Sequence, residues 1–584
     1  MKQKTLLLFL FPLFILHGQT LPPIFQHNEA TQLDSRTRAF LPPTRIVWKY
    51  DDEGKLIKGK ENLLKQGNGQ SDLANQNICT LKSTENQFPS LLLDFGKEIH
   101  GGLQFVTGMF PDHKPIRIRV RLGESVSEAM SNISEKGSAT NDHAMRDFTL
   151  ELPWLGVTEI GNSGFRFARI DLIDPNRELQ LKEVRAIFSY RDIPYLGSFR
   201  CNDERLNQIW KTGAYTVHLN MQEYLWDGIK RDRLVWIGDM HPEVSTINAV
   251  FGFNDVVPKS LDLIRDITPL PQWMNGIGTY SIWWLIIHRD WYMQHGNLSY
   301  LKEQHDYIAQ LCRLLITKIQ PNGNVDYGTK GFLDWPSSSN QEGVEAGVHA
   351  LTIWAMQAGK EIAGWLDDSS LRLECDRAEK LLRTYTPTHN DSKQGAALMS
   401  LVGQLTAERA DKEVISVGGA KNFSTFYGFY MLEAMAKAKN YNTAIDVIKT
   451  YWGGMLDLGA TTFWEDFNME WIPNAARIDE LVPPGKKDIH GDYGDYCYKG
   501  FRHSLCHGWA SGPTTWLSRH VLGIEVLEPG CKTIRITPSL GSLQWAEGSY
   551  PTPLGIIKVR HDKQSDGSIR SKIEAPKGVK IIRK

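Results

Sequence analysis

WDGIKRDRLVWIGD, residues 226–239, sets three acids (Asp227, Asp232, Asp239) and three bases (Lys230, Arg231, Arg233) among two tryptophans. A solvated helix face accounts for the charges, but not for Trp226, Ile229, Leu234, Trp236 and Ile237 interleaved with them. Buried charges must be paired or must have chemistry to do. Asp227 stands just before Gly228, so a loop or a helix start is expected there. If the remainder is helical, Asp232 and Asp239 share a face, and three carboxylates converge on one pocket. That composition suits a ligand rich in hydroxyls, because carboxylates accept from hydroxyl groups while an arginine holds them in place. The competing reading is a salt-bridged turn in which Arg231 and Arg233 neutralise the acids.

Outward from this segment the periodicity divides the chain. Before it, SLLLDFGKEIHGG, KPIRIRVRLGES and GFRFARIDL alternate short apolar and polar runs between Gly, Pro, Asn and Asp, which predicts strands. IRIRVRL places Ile116, Ile118, Val120 and Leu122 on one face and arginines on the other, as in a half-exposed antiparallel sheet. From about residue 200 apolar residues fall at helical spacing, in NDERLNQIWKTGAYTVHLN, YLKEQHDYIAQLCRLLITKI, HALTIWAMQAGKEIAGWL, SLRLECDRAEKLLRTYT and FYGFYMLEAMAKAKNYNTAIDVIKTYW. Turns such as QPNGN suggest paired helical hairpins. After Pro529, KTIRITPSL, LGIIKVRH and IRSKIEAPKGVKIIRK return to strands. The expected organisation is a signal peptide at 1–20, an N-terminal β-sandwich at 21–195, a helical catalytic domain at 196–525 and a C-terminal β-sandwich at 526–584.

Composition narrows the class. The 584 residues carry 66 Lys+Arg against 67 Asp+Glu, a net charge of −1 without a long basic run, so no nucleic-acid partner is expected. MKQKTLLLFLFPLFILHGQT has the lysines, apolar run and polar end of a signal peptide. Its apolar stretch is too short to span a bilayer, no later one is long enough, and no cysteine follows it closely, so a periplasmic or secreted protein without a membrane anchor is expected. Seven scattered cysteines indicate neither a disulfide framework nor a metal site, although Cys497 and Cys506 are near enough in sequence to pair. No metal and no cofactor are expected. Many of the 18 tryptophans lie between residues 226 and 516, where they can stack on sugar rings or fill helical cores.

A second acidic group lies in GATTFWEDFNMEW, with Glu465, Asp466 and Glu470. Cleaving a glycosidic bond calls for two carboxyls, one giving a proton to the departing oxygen and one activating water or attacking carbon. Glu465 with a member of the first cluster meets that need, and the bland alternative is a glutamate at a helix end.

The string DGIKRDRLVWIGD resembles the DCPQRDERLGWTGD signature of the glycoside hydrolase family 78 α-L-rhamnosidases. In order along the chain, GSFRCNDERLNQIWKTGAYT, GATTFWED and HSLCHGWASGPTTWLSRHVLGIEVLEPGCKTIRITP resemble three further stretches of that family, and DFGKEIHGGL, RLGES and GFRFARIDL resemble its N-terminal sandwich. Together they run from about Asp94 to Pro538. The resemblance implies an (α/α)6 barrel between two β-sandwiches, and an inverting hydrolase that releases terminal α-L-rhamnose from poly- or oligosaccharides of the pectic or algal ulvan type. It implies Glu465 as general base, Asp227, Arg231 and Asp239 as sugar ligands, and His507 as a further contact. The family has RDER where this chain has RDR, so the glutamate expected as acid is missing. Asp232, one methylene shorter, takes its place, with Glu243 of DMHPE in reserve. Trp236, Tyr280, Trp284 and Trp335 are the candidate stacking residues. The region of Tyr280, Ile282 and Trp283 lacks an aspartate that the family tends to carry. Arg289, His288 and Lys421 are candidates for meeting a sulfated or uronic neighbour. Two other readings stand beside this one, a carbohydrate-binding protein on the same scaffold that has lost its acid and a hydrolase for a different sugar.

Overall fold

The computed structural model describes residues 34–74, 76–136, 140–328 and 331–583. The signal peptide expected at 1–20 lies outside them. The first region is a nine-stranded antiparallel sheet built from β1 (Thr37–Leu41), β2 (Arg45–Tyr50), β3 (Ile57–Lys58), β4 (Cys79–Lys82), β5 (Ser90–Thr107), β6 (Ile116–Gly123), β7 (Asp147–Leu152), β8 (Val157–Leu172) and β9 (Glu178–Tyr190). Its order is β3-β4-β9-β5-β8-β6-β7, with β1 on β9 and β2 on β5. β5 is long enough to pair twice on one side, with β2 over Ser90–Asp94 and with β9 over Gly101–Thr107. Its register against β8 shifts between Asp94 and Ile99. Ile116, Ile118, Val120 and Leu122 are buried as their alternation expects. Arg121, on the other face, is buried as well because its Nη2 donates to Asp171 Oδ2 at 2.8 Å.

Every stretch with helical spacing contains a helix. A short α1 (Val126–Met130) follows β6. α2 (Glu204–Asn220) starts where the Asp203 carboxylate accepts from the amides of Arg205 and Leu206. After it come α3 (Met240–Val250), α4 (Val256–Asp266) and α5 (Gly278–His295), then helices over Leu298–Glu303, His305–Ile316, Gln341–Trp365, Ser369–Leu382, Lys393–Leu401, Gly428–Lys437 and Tyr441–Asp457. Gln341–Trp365 packs against α5, Ser369–Leu382 and Lys393–Leu401. The QPNGN turn closes with Gln320 N donating to Asn324 O at 2.8 Å. Among the described residues no helix is long and apolar enough to cross a membrane, and all seven cysteines are free.

Two small sheets end the chain, one of four strands and one of three. The strands expected after Pro529 are all present, at Thr533–Ile536, Gly555–Lys563, Ile569–Glu574 and Lys580–Arg583. The four-stranded sheet also takes in Ser198–Cys201, from just before α2, paired antiparallel with Trp545–Thr552. The apolar core reflects this. Ile534, Ile536, Ala546, Ile557 and Val559 belong to one continuous cluster with the helices, whereas β1 to β9 keep a core of their own.

The N-terminal sheet is held to the helical region by polar contacts made by its motif residues. Arg166 binds Asp94 through Nε at 2.9 Å and donates from Nη1 to Gly459 O at 3.1 Å. Glu98 N donates to Thr461 Oγ1 at 2.9 Å. Gly164 lets the segment at Ile229 and Lys230 come close, since a Cβ there would stand 2.7 Å from Lys230 N. Lys230 is the central tie. Its buried ammonium lies 2.9 Å from Glu124 Oε2 and 3.2 Å from Glu128 Oε1, and donates to the carbonyls of Phe501 and His503, both at 2.9 Å. Burial pushes the Glu124 carboxyl up to about 7 against the pull of Lys230. Lys230→Met is expected to leave two buried carboxyls without their cation and to lower stability by about 3 kcal/mol, measured as a shift in the denaturant midpoint.

Candidate active site

Residues 226–239 are not helical; α3 begins only at Met240. The cause is Asp227. Its Oδ2 accepts from Asp232 N and its Oδ1 from Leu234 N, both at 3.0 Å, which curls the chain into a tight turn with Arg233 in the left-handed region at φ 60°. So Asp232 and Asp239 do not share a helix face. GATTFWED is likewise no helix end, because Glu465 lies in irregular chain between Asp457 and Met469.

A third stretch, residues 503–508, lies between these two. Glu465 N donates to Ser504 O at 3.0 Å, His507 N to Phe463 O at 2.9 Å and Gly508 N to Asp227 O at 2.9 Å. The late glutamate and the early aspartates are thereby brought to one place.

Arg231 joins the carboxylates. Its Nη1 donates to Asp232 Oδ1 at 3.0 Å and its Nη2 to both Glu465 oxygens at 3.0 Å. The guanidinium's own width and two hydrogen-bond lengths keep the bonded carboxylate oxygens within about 8 Å of each other. Burial alone would raise Glu465, but Arg231, His507 and the Ser504 amide at 3.0 Å outweigh it and hold the carboxyl below its ordinary range. Glu465 is thus anionic. Asp232 is half-buried, and His143, from the loop before β7, stands 3.3 Å from its Oδ1.

Asp239 accepts from Tyr280 OH at 3.0 Å and lies 3.1 Å from His507 Nε2. Burial pulls the His507 proton off, but Glu465 and Asp239 on either side more than restore it, pushing the imidazole up to about 9. His507 Nδ1 is a buried donor without a partner among the described residues, 3.9 Å from Glu465 Oε1. Burial, with the Asp239 charge nearby, pushes Asp227 up to about 7.

Among the described residues, two groups have the ligand atoms to hold a metal. Asp227, Asp239 and His507 place one such atom each within 4.8 Å of one another, but their oxygens already accept from Asp232 N, Leu234 N, Tyr280 and His507. Glu124, Glu128 and His490 form the other group, and the Lys230 ammonium sits against both of its carboxylates.

The aromatic expectations divide. Trp335 is 38% exposed and stacks on Tyr496, with centroids 6.1 Å apart. Trp236 is half-buried, edge-on to Tyr280 at 6.1 Å. Trp284 is a correction. It is fully buried on α5 with Nε1 bonded to Leu261 O at 3.1 Å, so neither face can meet a sugar. Periodicity alone could not tell it from a cleft residue. His288 is buried beside it, Arg289 pairs with Asp290 and Glu361, and Lys421 pairs with Glu470 at the surface. Glu243 is fully buried and both its oxygens lack a partner among the described residues. It lies against Gly508, where a Cβ would fall 1.7 Å from its Oε1, and burial pushes its carboxyl well above the ordinary range. Sequence reading missed His143, Ser504, Trp509 and Thr425. The last two fix the Glu465 carbonyl, Trp509 Nε1 at 2.9 Å and Thr425 Oγ1 at 2.6 Å.

Two outcomes are expected. His507 binds its proton more tightly folded than unfolded, so its contribution to stability is complete below pH 6.5 and is lost as pH rises through about 9. The wild type should therefore lose more stability over that interval than His507→Gln, compared by denaturant melts. Gly508→Ala should cost about 1–3 kcal/mol by crowding, and adding Glu243→Ala should restore part of the loss.

Comparison with known proteins gives the family. Residues 194–521 match the bacterial alpha-L-rhamnosidase six-hairpin glycosidase domain, and residues 523–582 the bacterial alpha-L-rhamnosidase C-terminal domain. An alpha-L-rhamnosidase of Alteromonas sp. (strain LOR) is 23% identical over 509 residues, covering 77% of this chain and 52% of that protein. The crystal structure of a family 78 rhamnosidase of Bacillus sp. GL1 superposes with a TM-score of 0.72 at 22% identity, over 90% of this chain and 55% of that one. A Klebsiella oxytoca rhamnosidase with rhamnose bound gives 0.63 at 19% identity, over 83% and 96%. This chain thus spans about half the length of the Alteromonas and Bacillus proteins. With more than half of its residues matched by the six-hairpin domain, the chain belongs to the bacterial alpha-L-rhamnosidase six-hairpin glycosidase family.

Proposed function

We propose that this protein is an exported hydrolase that removes terminal α-L-rhamnose with inversion, Asp232 acting as acid and Glu465 as base. The observation that carries the reading is the guanidinium of Arg231 held between those two carboxylates. Inverting enzymes keep their carboxyls roughly 6.5–9.5 Å apart so that water fits beside the sugar, and the reach of Arg231, an upper bound of about 8 Å, is compatible with that spacing. Glu465, kept anionic, can take a proton from water. Asp232 faces the departing oxygen, and the turn closed by Asp227 carries its shorter side chain. The charged His507 offers its free Nδ1–H to a sugar hydroxyl. Asp227 and Asp239 hold the turn and the histidine in place, and Trp236 and Trp335 flank the mouth.

In this reading residues 196–525 form an (α/α)6 barrel between β-sandwiches at 21–195 and 526–584, with the leader at 1–20 directing export. The substrates are rhamnose-ended poly- or oligosaccharides, of which pectic and ulvan chains are examples. One observation favours capture without cleavage: Arg231 engages both oxygens of Glu465, which weakens it as a base.

Incubation with an aryl α-L-rhamnoside decides between them. The expected first product is β-L-rhamnose by NMR, and Glu465→Gln should lower kcat by about 10²–10⁴-fold. Asp232→Asn should cost a similar factor on a sugar leaving group but much less on a nitrophenolate, which departs without protonation. Binding with no product would favour capture, and full turnover by Glu465→Gln would remove the mechanism.

A further inference from the structure

The helices His305–Ile316 and Ser369–Leu382 lie side by side, each packed against Gln341–Trp365, the helix between them in the chain. Two ion pairs fix their alignment. His305, the first residue of one helix, stands with Nε2 2.9 Å from Oδ2 of Asp368, which caps the other, so the two helices start together and run in the same direction. Further along, Arg313 Nε donates to Glu374 Oε2 at 2.9 Å. Cys312 follows His305 by seven residues, and Cys375 follows Asp368 by seven. Seven residues make about two turns and return to the same helix face. The register that pairs His305 with Asp368 therefore sets the two cysteines opposite each other.

Gly359 completes the arrangement. It lies on Gln341–Trp365, and a Cβ built there would stand 2.8 Å from Cys312 Sγ and 3.0 Å from Cys375 Sγ. The absent side chain leaves room that both sulfurs share, at most about 6 Å apart, a gap that rotation about the two Cα–Cβ bonds closes toward the roughly 2 Å of a disulfide. Both side chains are fully buried and stand as free thiols. The adjoining Cys375 thiol, and then burial, push the Cys312 thiol well above its ordinary range, which disfavours the thiolate that attacks an oxidant.

We infer that Cys312 and Cys375 form a disulfide that ties the helix His305–Ile316 to Ser369–Leu382 across Gly359. Because the assembled pair is closed to solvent, the bond forms while these helices are still coming together. The oxidant is itself a disulfide. One cysteine thiolate attacks it and expels one of its sulfurs as a thiolate, and the second cysteine then attacks the mixed disulfide and expels the other. The two cysteines lose two protons and two electrons, and the oxidant leaves as two thiols. The loop so closed contains all of Gln341–Trp365, which restricts the unfolded chain. Oxidants of this kind meet an exported chain, so the bond's occurrence in the cell rests on the export proposed above, whereas the placement of the sulfurs does not.

The test synthesises the full chain in vitro in glutathione buffers, one mostly oxidised and one fully reduced, blocks the free thiols and digests with trypsin without reductant. The oxidised product is expected to yield Glu303–Arg313 joined to Leu373–Arg377, two hydrogens lighter than the separate peptides together, and to melt several degrees above the reduced product. The double variant Cys312→Ala, Cys375→Ala should melt alike from both buffers; should it not fold, the peptide map of the wild type decides without it. Recovery of both peptides with blocked thiols from the oxidising buffer, or joined to other cysteines, overturns the inference and leaves two packed thiols only. The same map of protein taken from cells producing the chain separates the two readings: a joined pair in vitro with blocked thiols from the cells leaves the bond standing and overturns the export reading instead.

Discussion

A buried guanidinium that must be neutralised organises this site. Arg231 lies in the interior with Asp232 beside it in the chain and Glu465 more than two hundred residues away. A charge so placed cannot be left unpaired, since several kcal/mol of desolvation oppose it. The pairing therefore fixes the relative position of two distant loops, and the stretch 503–508 hydrogen-bonds to both. Removing any one of the three strands of this arrangement would leave ions or amides without partners in the other two.

Much of the fold was legible in the sequence because it rests on local periodicity. The period-two run at Ile116–Leu122 and the helical spacing of residues 349–366 each reflect one buried face repeated over many residues. The segment 226–239 was legible in its charges but not in its shape. Helical geometry was a reasonable expectation for two aspartates seven apart, yet the Asp227 carboxylate captures two backbone amides of its own turn and the helix waits until Met240. Such side-chain competition for backbone donors leaves only a weak trace in composition.

The site residues divide along the same line. Glu465 and Arg231 were candidates because their neighbours form ordered motifs, and the structure brings the two side chains together. His143 was not, because nothing in NDHAMRDF distinguishes a surface histidine from one placed against a distant aspartate by sheet packing. Trp284 shows the converse error. A tryptophan on an apolar helix in a region rich in acids looks available for stacking, and only the three-dimensional crossing of α5 with its neighbours encloses it. The charges around Lys230 have a second explanation that the sequence could not give, since they fasten the signature segment to α1 of the neighbouring sheet.

The strand Ser198–Cys201 pairs with Trp545–Thr552 although the whole helical region intervenes. The chain is therefore closed like a clasp, with the start of the helical region completed only by residues near its end. A fragment cut after the last helix would expose the edge of Ser198–Cys201 and strip the apolar residues that Ile534, Ala546 and Ile557 now cover. During synthesis that edge stays open until Trp545–Thr552 have emerged, which makes these sheets the latch that closes the helical region and a place where premature ends become aggregation-prone.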